Sequence, residues 1–320
     1  MPLRVAVQMD PLELIGIAGD STFALMLGAQ ARGHKLFHYF AADLSYENGK
    51  VRAPAHPVTV QRVEGDHFSA GEPAMLDLAA DVDVVLMRQD PPFDIAYITA
   101  TYLLERIASE TLVVNDPKSV RDCPEKLFVL DFARFMPPTL ITRSMDELKR
   151  FHAAHGEIVL KPLHGNAGAA VFRIGRDGQN LNPLVELFAR IWPEPYIAQA
   201  FLPAIADGDK RIILVDGEVA GAINRRPAAG EIRSNLAAGG TAEAAELSET
   251  EKEICAALGP ELKRRGLLFV GIDVIGGKWL TEINVTSPTG IVAIDRFNGT
   301  DTPGLIWDAI ERRLAERSKA

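Results

Sequence analysis

The chain has 320 residues, about two domains' worth, with 47% apolar and 24% charged residues, a balance that excludes a disordered chain. Its 34 lysines and arginines fall short of 43 aspartates and glutamates, for a net charge of −9, so no basic surplus exists to neutralise a nucleic-acid backbone. No stretch approaches the ~18 consecutive apolar residues of a membrane helix, and two distant cysteines, Cys123 and Cys255, exclude a disulfide framework or structural zinc site and point to a reducing cytoplasm.

The first third predicts a βαβ layout. Residues 3–8 form an apolar strand, and Asp10 and Glu13 end any apolar run, unlike a signal or transit peptide. Asp20 or Ser21 caps a helix through Phe23, Leu25, Met26, Leu27 and Ala29, and Gly33 suits its left-handed stop. Residues 82–87 (VDVVLM) read as a strand covered on both faces, followed by a helix over 97–110 and a strand over 112–115. Strands alternating with helices give a mostly parallel sheet. The first strand–helix connection carries no GxGxxG pattern, so no dinucleotide site is read there.

Asp116 and Pro117 break that pattern, and a helix over 124–135 opens a second unit, stopped by Met136, Pro137 and Pro138. A capped helix follows over 144–155, with Glu147 three residues after Ser144, then a strand over 157–161 and an apolar strand over 196–202. Residues 209–225 predict a hairpin turning at Asp216 and Gly217. Residues 226–245 form a loop dense in Gly, Ala and Pro, followed by a helix from a Ser248 cap to Arg265. Two strands flank Gly276 and Gly277, and a helix over 302–314 closes the chain. There is no internal repeat and no coiled-coil heptad.

Residues 270–290, VGIDVIGGKWLTEINVTSPTG, carry the most chemistry. A two-residue turn at Gly276 and Gly277 pairs Ile275 with Lys278 and Asp273 with Leu280. Alternation then projects Asp273, Glu282 and Asn284 from one face, with Ile272, Val274, Thr281 and Ile283 on the other. Two carboxylates and an amide oxygen suit Mg²⁺, although acidic residues on an exposed strand are also commonplace. The polar turn from Ser287 to Gly290 follows directly, placed for a substrate carboxylate.

Phosphate needs cations as well. Lys126 stands near a helix start, and Lys161 ends IVLKP, its stem buried by the preceding apolar run. Lys161 also precedes HGNAGAAVF, a small-residue loop whose amides can approach phosphate oxygens without matching the P-loop pattern. Residues 196–202 can present backbone amides to an adenine edge between apolar walls. Arg88, Arg211, Arg225, Arg226 and Arg233 are spread over the expected cleft, with guanidinium forks suited to carboxylate and phosphate.

Taken in order, MRQDPPFD (87–94), NDPKSVRDCPEKLF (115–128), LKPLHGNAG (160–168), LPAIADGDKRIILVDGE (202–218), SNLAAGG (234–240) and GLLFVGIDVIG with LTEINVTSPTG (266–290) resemble the bacterial glutathione synthetase family of the ATP-grasp superfamily. The resemblance implies a mixed α/β architecture: an N-terminal preATP-grasp domain over 1–121, then an ATP-grasp domain over 122–320. That second domain divides into a central lobe over about 122–200 and a C-terminal lobe over about 201–320. It implies ligation of glycine to γ-L-glutamyl-L-cysteine with ATP as co-substrate, Mg²⁺ or Mn²⁺ as cofactor, and an acyl-phosphate intermediate. Small-molecule substrates, no nucleic-acid or membrane partner, and a homo-oligomer, the family tending to tetramers, follow too.

Carried over by residue, the resemblance implies that Lys126, Lys161, Gly165 and Gly168 hold ATP phosphates. Gln199, Ala200, Phe201 and Leu202 line the adenine pocket, and Asp209 contacts the nucleotide. Asp273, Glu282 and Asn284 bind the metal. Arg211 and Arg226 stabilise the charged intermediate, while Arg88, Arg233, Asn235, Ser287, Thr289 and Gly290 contact the peptide. The chain departs from the family at Gln89, His164 and Ala167, the last where a glycine is usual, which leaves room for another ATP-grasp carboxylate–amine ligase with a different peptide or amine. A non-catalytic ATP-binding relative would have lost a lysine or metal ligand, and all five are present.

Overall fold

The computed structural model describes residues 2–165, 168–236 and 239–318. Asn166 and Ala167, and with them the glycine-loop departure, lie outside the described residues.

The N-terminal region is built on β1 (Arg4–Gln8), β2 (Lys35–Tyr39), β3 (Ser45–Glu47), β4 (Lys50–Val60), β5 (Phe68–Ala70), β6 (Ala74–Asp77), β7 (Val84–Met87) and β8 (Leu112–Val114). Their order is β3-β4-β2-β1-β7-β8, with β5 and β6 also paired to β4. β2, β1, β7 and β8 run parallel, and β7 is buried along its whole length, as its unbroken VVLM run dictates. Helix α1 (Ser21–Ala31) is capped by Asp20, which accepts from the Phe23 amide at 2.6 Å, and Gly33 follows it at φ 79°. Helix α2 (Ile95–Glu105) starts two residues earlier and ends five earlier than expected, because Asp94 caps it by accepting from the Tyr97 amide.

The antiparallel excursion from β3 to β6 is absent from the sequence-based expectation. Its long strand β4 contains Pro54 and Pro57, which lack the N–H that a ladder uses and so disguise it. The expected helix over 124–135 is instead 3₁₀ structure over Phe128–Phe135, broken at Phe132. The preceding segment is drawn off a helical path where the Glu125 carbonyl accepts from the Ile283 amide at 3.0 Å. Helix α3 (Pro117–Asp122) precedes it.

The central lobe holds β9 (Thr139–Thr142), β10 (Ile158–Pro162), β11 (Phe172–Ile174) and β12 (Tyr196–Ala200) in the antiparallel order β11-β10-β12-β9. It is covered by α4 (Met145–His155) and α5 (Leu181–Ile191). The C-terminal lobe holds β13 (Asp209–Val215), β14 (Glu218–Arg226), β15 (Thr241–Ala244), β16 (Phe269–Ile275) and β17 (Trp279–Asn284) in the antiparallel order β15-β14-β13-β16-β17. Helices α6 (Glu249–Arg264), α7 (Ile291–Asn298) and α8 (Thr302–Arg317) complete it.

Packing links these regions unequally. Val85, Met87 and Leu104 share one apolar core with Ile212, Leu214, Ile272 and Leu280, while Val7, Phe23 and Leu25 share another with Phe269, Ile291 and Trp307. Asn115 stitches the same boundary: its amide donates to the Phe269 and Val285 carbonyls, and its oxygen accepts from the Phe269 amide. The central lobe has its own core around Leu148, Phe151, Leu160, Phe188 and Tyr196.

Two strand irregularities aim the C-terminal sheet. The loop between β16 and β17 has three residues, so Ile275 faces Trp279 rather than Lys278. That change alone would exchange the two faces of β17. A one-residue bulge at Thr281 reverses it, setting Asp273 opposite Glu282 instead of Leu280. The expected polar face is therefore kept, but Leu280 is fully buried opposite Val274 and Thr281 moves to the cleft wall. A second bulge at Ala220 sets Asp209 opposite Arg225. A regular hairpin on Asp216 and Gly217 would have set it opposite Asn224.

Candidate active site

A cleft between the central and C-terminal lobes encloses, with its mouth, about 890 Å³, within the range of small-molecule pockets. Lys161 enters it from β10, Gln199 and Ala200 from β12, and Asp209, Asp273 and Glu282 from β13, β16 and β17. Lys126 reaches it from the segment after α3, and Arg233, Ser234 and Asn235 from the loop between β14 and β15. Val159, Val171, Phe201, Leu202 and Ile205 supply apolar walls. Gly165 and Gly168 border it, so the expected phosphate, adenine and nucleotide residues all line one cavity.

At one end, Glu282 sits between two ammonium groups, 3.1 Å from Lys161 Nζ and 3.5 Å from Lys126 Nζ. Lys126 also pairs with Glu125 and donates to the Gly165 carbonyl at 2.6 Å. Burial acts to raise the Glu282 pKa, but the Lys126 and Lys161 charges outweigh it and hold the carboxyl below its ordinary value. Burial likewise acts to lower the Lys126 pKa, and Glu282 and Glu125 more than offset it. Glu125 itself is raised, chiefly by burial.

Beside this end, Arg211, Asp273 and Glu282 stand opposite one another across β13, β16 and β17. Arg211 grips Asp273 through two parallel bonds of 2.6 and 2.9 Å, a fork matched to a carboxylate. Arg225 touches Asp273 at 3.0 Å and Asp209 at 2.5 Å. Asn284 donates to Asp273 at 3.3 Å. Burial is the largest influence on the Asp273 carboxyl and acts to raise its pKa, yet Arg211 and Arg225 together hold it well below the carboxylate range. The opposite holds for Asp209. Burial, helped by the Asp273 charge, lifts its carboxyl to about 6 despite Arg225.

Asp273, Glu282 and Asn284 offer oxygen donors only, the chemistry of a hard divalent cation. Three such side chains make no all-protein cage, and among the described residues no group of three or more His, Cys, Asp or Glu side chains forms one. Asp273 and Glu282 line the cleft and Asn284 adjoins them through Asp273, so an ion held there would complete its shell with phosphate oxygens and water.

Arg226 lies elsewhere. It is exposed and paired with Glu243 at 3.0 Å, whereas its neighbour Arg225 is buried in the site. Strand alternation puts only one of the two on the sheet face that carries Asp209 and Asp273, and the Ala220 bulge selects Arg225. Gly221 was the available signal: a Cβ there would come within 2.4 Å of Ile294, and an interior strand glycine marks a bulge or a close approach. Ser234 and Glu125, both within recognised stretches, also line the cleft without having been singled out.

The expected peptide contacts divide into two groups. Arg233 and Asn235 line the cleft, Arg233 tied to Glu231 at 2.5 Å. Arg88, Ser287, Thr289 and Gly290 gather where β7 ends, α1 begins and the chain turns into α7. Arg88 donates to Thr22 and to the Pro288 carbonyl at 3.0 Å, Ser287 donates to the Arg88 carbonyl, and the Gly290 amide donates to Ser21. Arg211 joins this turn to the cleft by donating to the Thr289 carbonyl at 3.2 Å. In the adenine segment, the amides of Ala200 and Phe201 already serve the Pro138 and Glu157 carbonyls. A base docking there is left the segment's other groups, the Leu202 amide among them.

Two antiparallel lobes closing on a cleft of lysines and carboxylates, behind an α/β N-terminal region, define the ATP-grasp fold. The crystal structure of D-cycloserine synthetase covers 97% of this chain and 99% of its own at TM-score 0.70 and 17% identity. A RimK-domain ATP-grasp protein from Sphaerobacter thermophilus covers 96% and 98% at TM-score 0.64 and 17% identity. At such identities the likeness concerns the fold. Family models described as "Prokaryotic glutathione synthetase, N-terminal domain" and "Prokaryotic glutathione synthetase, ATP-grasp domain" match residues 3–121 and 125–299. Curated glutathione synthetases from Rhodopseudomonas palustris and Bradyrhizobium diazoefficiens are 58% and 56% identical, covering 98% and 99% of this chain and 100% of their own length. The chain belongs to the prokaryotic glutathione synthetase family.

Proposed function

We propose that the protein joins glycine to γ-L-glutamyl-L-cysteine, yielding glutathione, ADP and phosphate from ATP. The observation that carries this reading is 58% identity to a glutathione synthetase along 98% of the chain. The cleft supplies what the reaction requires. The cysteinyl carboxylate attacks the γ-phosphorus, the bond to the leaving ADP breaks, and an acyl phosphate forms. The glycine amine then attacks the acyl carbon, phosphate departs with the bonding electrons, and the amine loses a proton.

No covalent enzyme nucleophile is needed, so positioning and charge neutralisation do the catalysis. Lys126 and Lys161 face the phosphate tail, and the Gly165 and Gly168 backbone lies beside it. Asp273, Glu282 and Asn284 would hold a divalent cation, magnesium or manganese, which when bound neutralises phosphate charge. Arg211 and Arg225 stabilise the charged intermediate, Arg225 in place of Arg226. Arg88, Ser287, Thr289 and Gly290, with Arg233 and Asn235 above, hold the dipeptide. Gln199, Ala200, Phe201 and Leu202 flank the base, and Asp209 lies on the nucleotide side of the cleft. Cytoplasmic location and homo-oligomeric assembly are part of the same reading, on family resemblance and the buried thiols of Cys123 and Cys255.

A phosphate-release assay over a small matrix of dipeptides and amines, with products weighed, tests it. We expect release coupled to tripeptide formation with γ-glutamylcysteine and glycine. Release that depends on a different acid–amine pair contradicts it.

A further inference from the structure

Ile232, Arg233, Ser234 and Asn235, between β14 and β15, line the cleft, and one of these side chains is anchored to β13. Ser234 is only 3% exposed, and its hydroxyl donates to Asp209 Oδ2 at 2.9 Å. That same oxygen accepts from Arg225 Nη2 at 2.5 Å, and the guanidinium continues to Asp273 Oδ1 at 3.0 Å. Asp209 Oδ1 is buried and makes no hydrogen bond among the described residues. The carboxylate is thus held through one oxygen, between a loop hydroxyl and a buried arginine. The loop's Glu231–Arg233 pair, by contrast, stays within the loop. The loop is folded closely at this point, since a Cβ on Gly240 would come within 2.1 Å of the Ser234 carbonyl oxygen.

We propose that Ser234 is a positioning residue: its hydroxyl latches the loop to Asp209 and, through that carboxylate, fixes Arg225 against Asp273. Covering the cleft and aligning the arginine then become one event. Without the hydroxyl, Asp209 is held by Arg225 alone, water reaches the shared oxygen, and loop and arginine move independently. The inference rests on the ligase reading for its catalytic consequence: water admitted to an acyl phosphate returns dipeptide and phosphate, so ATP is consumed without ligation.

The test compares Ser234→Ala with Glu231→Gln, which cuts the loop's internal pair and spares the latch. In Ser234→Ala, phosphate released per tripeptide should rise from one to about threefold or more. KM for ATP should stay within about twofold. Amide exchange over residues 228–236, with a non-hydrolysable ATP analogue bound, should quicken about tenfold, the size of one lost hydrogen bond to a charged partner. Ser234→Thr should restore coupling, and Glu231→Gln should keep it. One-to-one coupling with wild-type exchange in Ser234→Ala overturns the latch, as does equal uncoupling in Glu231→Gln. Exchange requires no turnover, so a wild-type enzyme that forms no tripeptide defeats the ligase reading while the exchange comparison still decides the latch.

Discussion

Lys126 and Lys161 come from segments 35 residues apart in the sequence and meet at a single carboxylate, Glu282. Removing that carboxylate leaves two ammonium groups facing each other and takes a donor from the metal set. Glu282→Gln should lower kcat for ligation about 10²-fold or more while circular dichroism shows the folded chain intact; near-normal turnover would deny Glu282 its role. Asp209 gives a separable pH signature. Its folded carboxyl, raised to about 6 chiefly by burial, keeps a proton that the unfolded chain loses near the ordinary value of about 4. Stability from this group is therefore present below about pH 4 and lost as pH rises to about 6, at up to roughly 1.4 kcal/mol per pH unit. Urea unfolding of Asp209→Asn across that window should lack this slope; an unchanged slope would show that Asp209 does not carry the proton. The meeting of the two lysines with Asp273 and Glu282 in one cleft was legible in the sequence because lysine after an apolar run and acids on an alternating strand are chemically conspicuous. Asp209's unusual environment was not, since it arises from residues on two other strands.

At the scale of elements, alternating strands, capped helices and the Asp216 and Gly217 hairpin were readable, because each rests on local periodicity or turn chemistry. The parity of a strand face rests on single-residue bulges that leave almost no local trace. Thr281 restored the expected face after a longer loop had reversed it, whereas Ala220 exchanged Arg226 for Arg225. Arg225→Lys keeps the charge but loses the planar guanidinium whose Nη2 reaches both Asp209 and Asp273. It should cost about 10²-fold in kcat, whereas Arg226→Lys should stay within about threefold. Equal effects, measured as initial ligation rates, would mean that the bulge does not decide which arginine acts. The β3–β6 excursion was hidden for a different reason: prolines in β4 contradict the strand pattern that its neighbours enforce.

For the whole molecule, cohesion runs across the chain unevenly. The N-terminal region and C-terminal lobe share continuous apolar cores, and the central lobe stands on its own. Such sharing joins residues about 200 positions apart, beyond any local pattern. Phe188 is fully buried in the central core, with Trp192 and Tyr196 rings 4.8 and 5.3 Å away. Phe188→Ala should destabilise that lobe by about 3–5 kcal/mol. Hydrogen exchange should then show residues 139–200 losing protection while β1, β7 and β16 keep theirs; uniform loss would mean that the three regions unfold as one.

The proposed reading is that the cleft lets a carboxylate oxygen attack the last phosphorus of ATP. The most direct measurement is the fate of that oxygen, with γ-glutamylcysteine labelled by oxygen-18 in its cysteinyl carboxylate and supplied with ATP, glycine and a divalent cation. The released phosphate should carry one labelled oxygen per ligation, seen by mass spectrometry. Unlabelled phosphate at full turnover would contradict the acyl-phosphate route and the roles assigned around it.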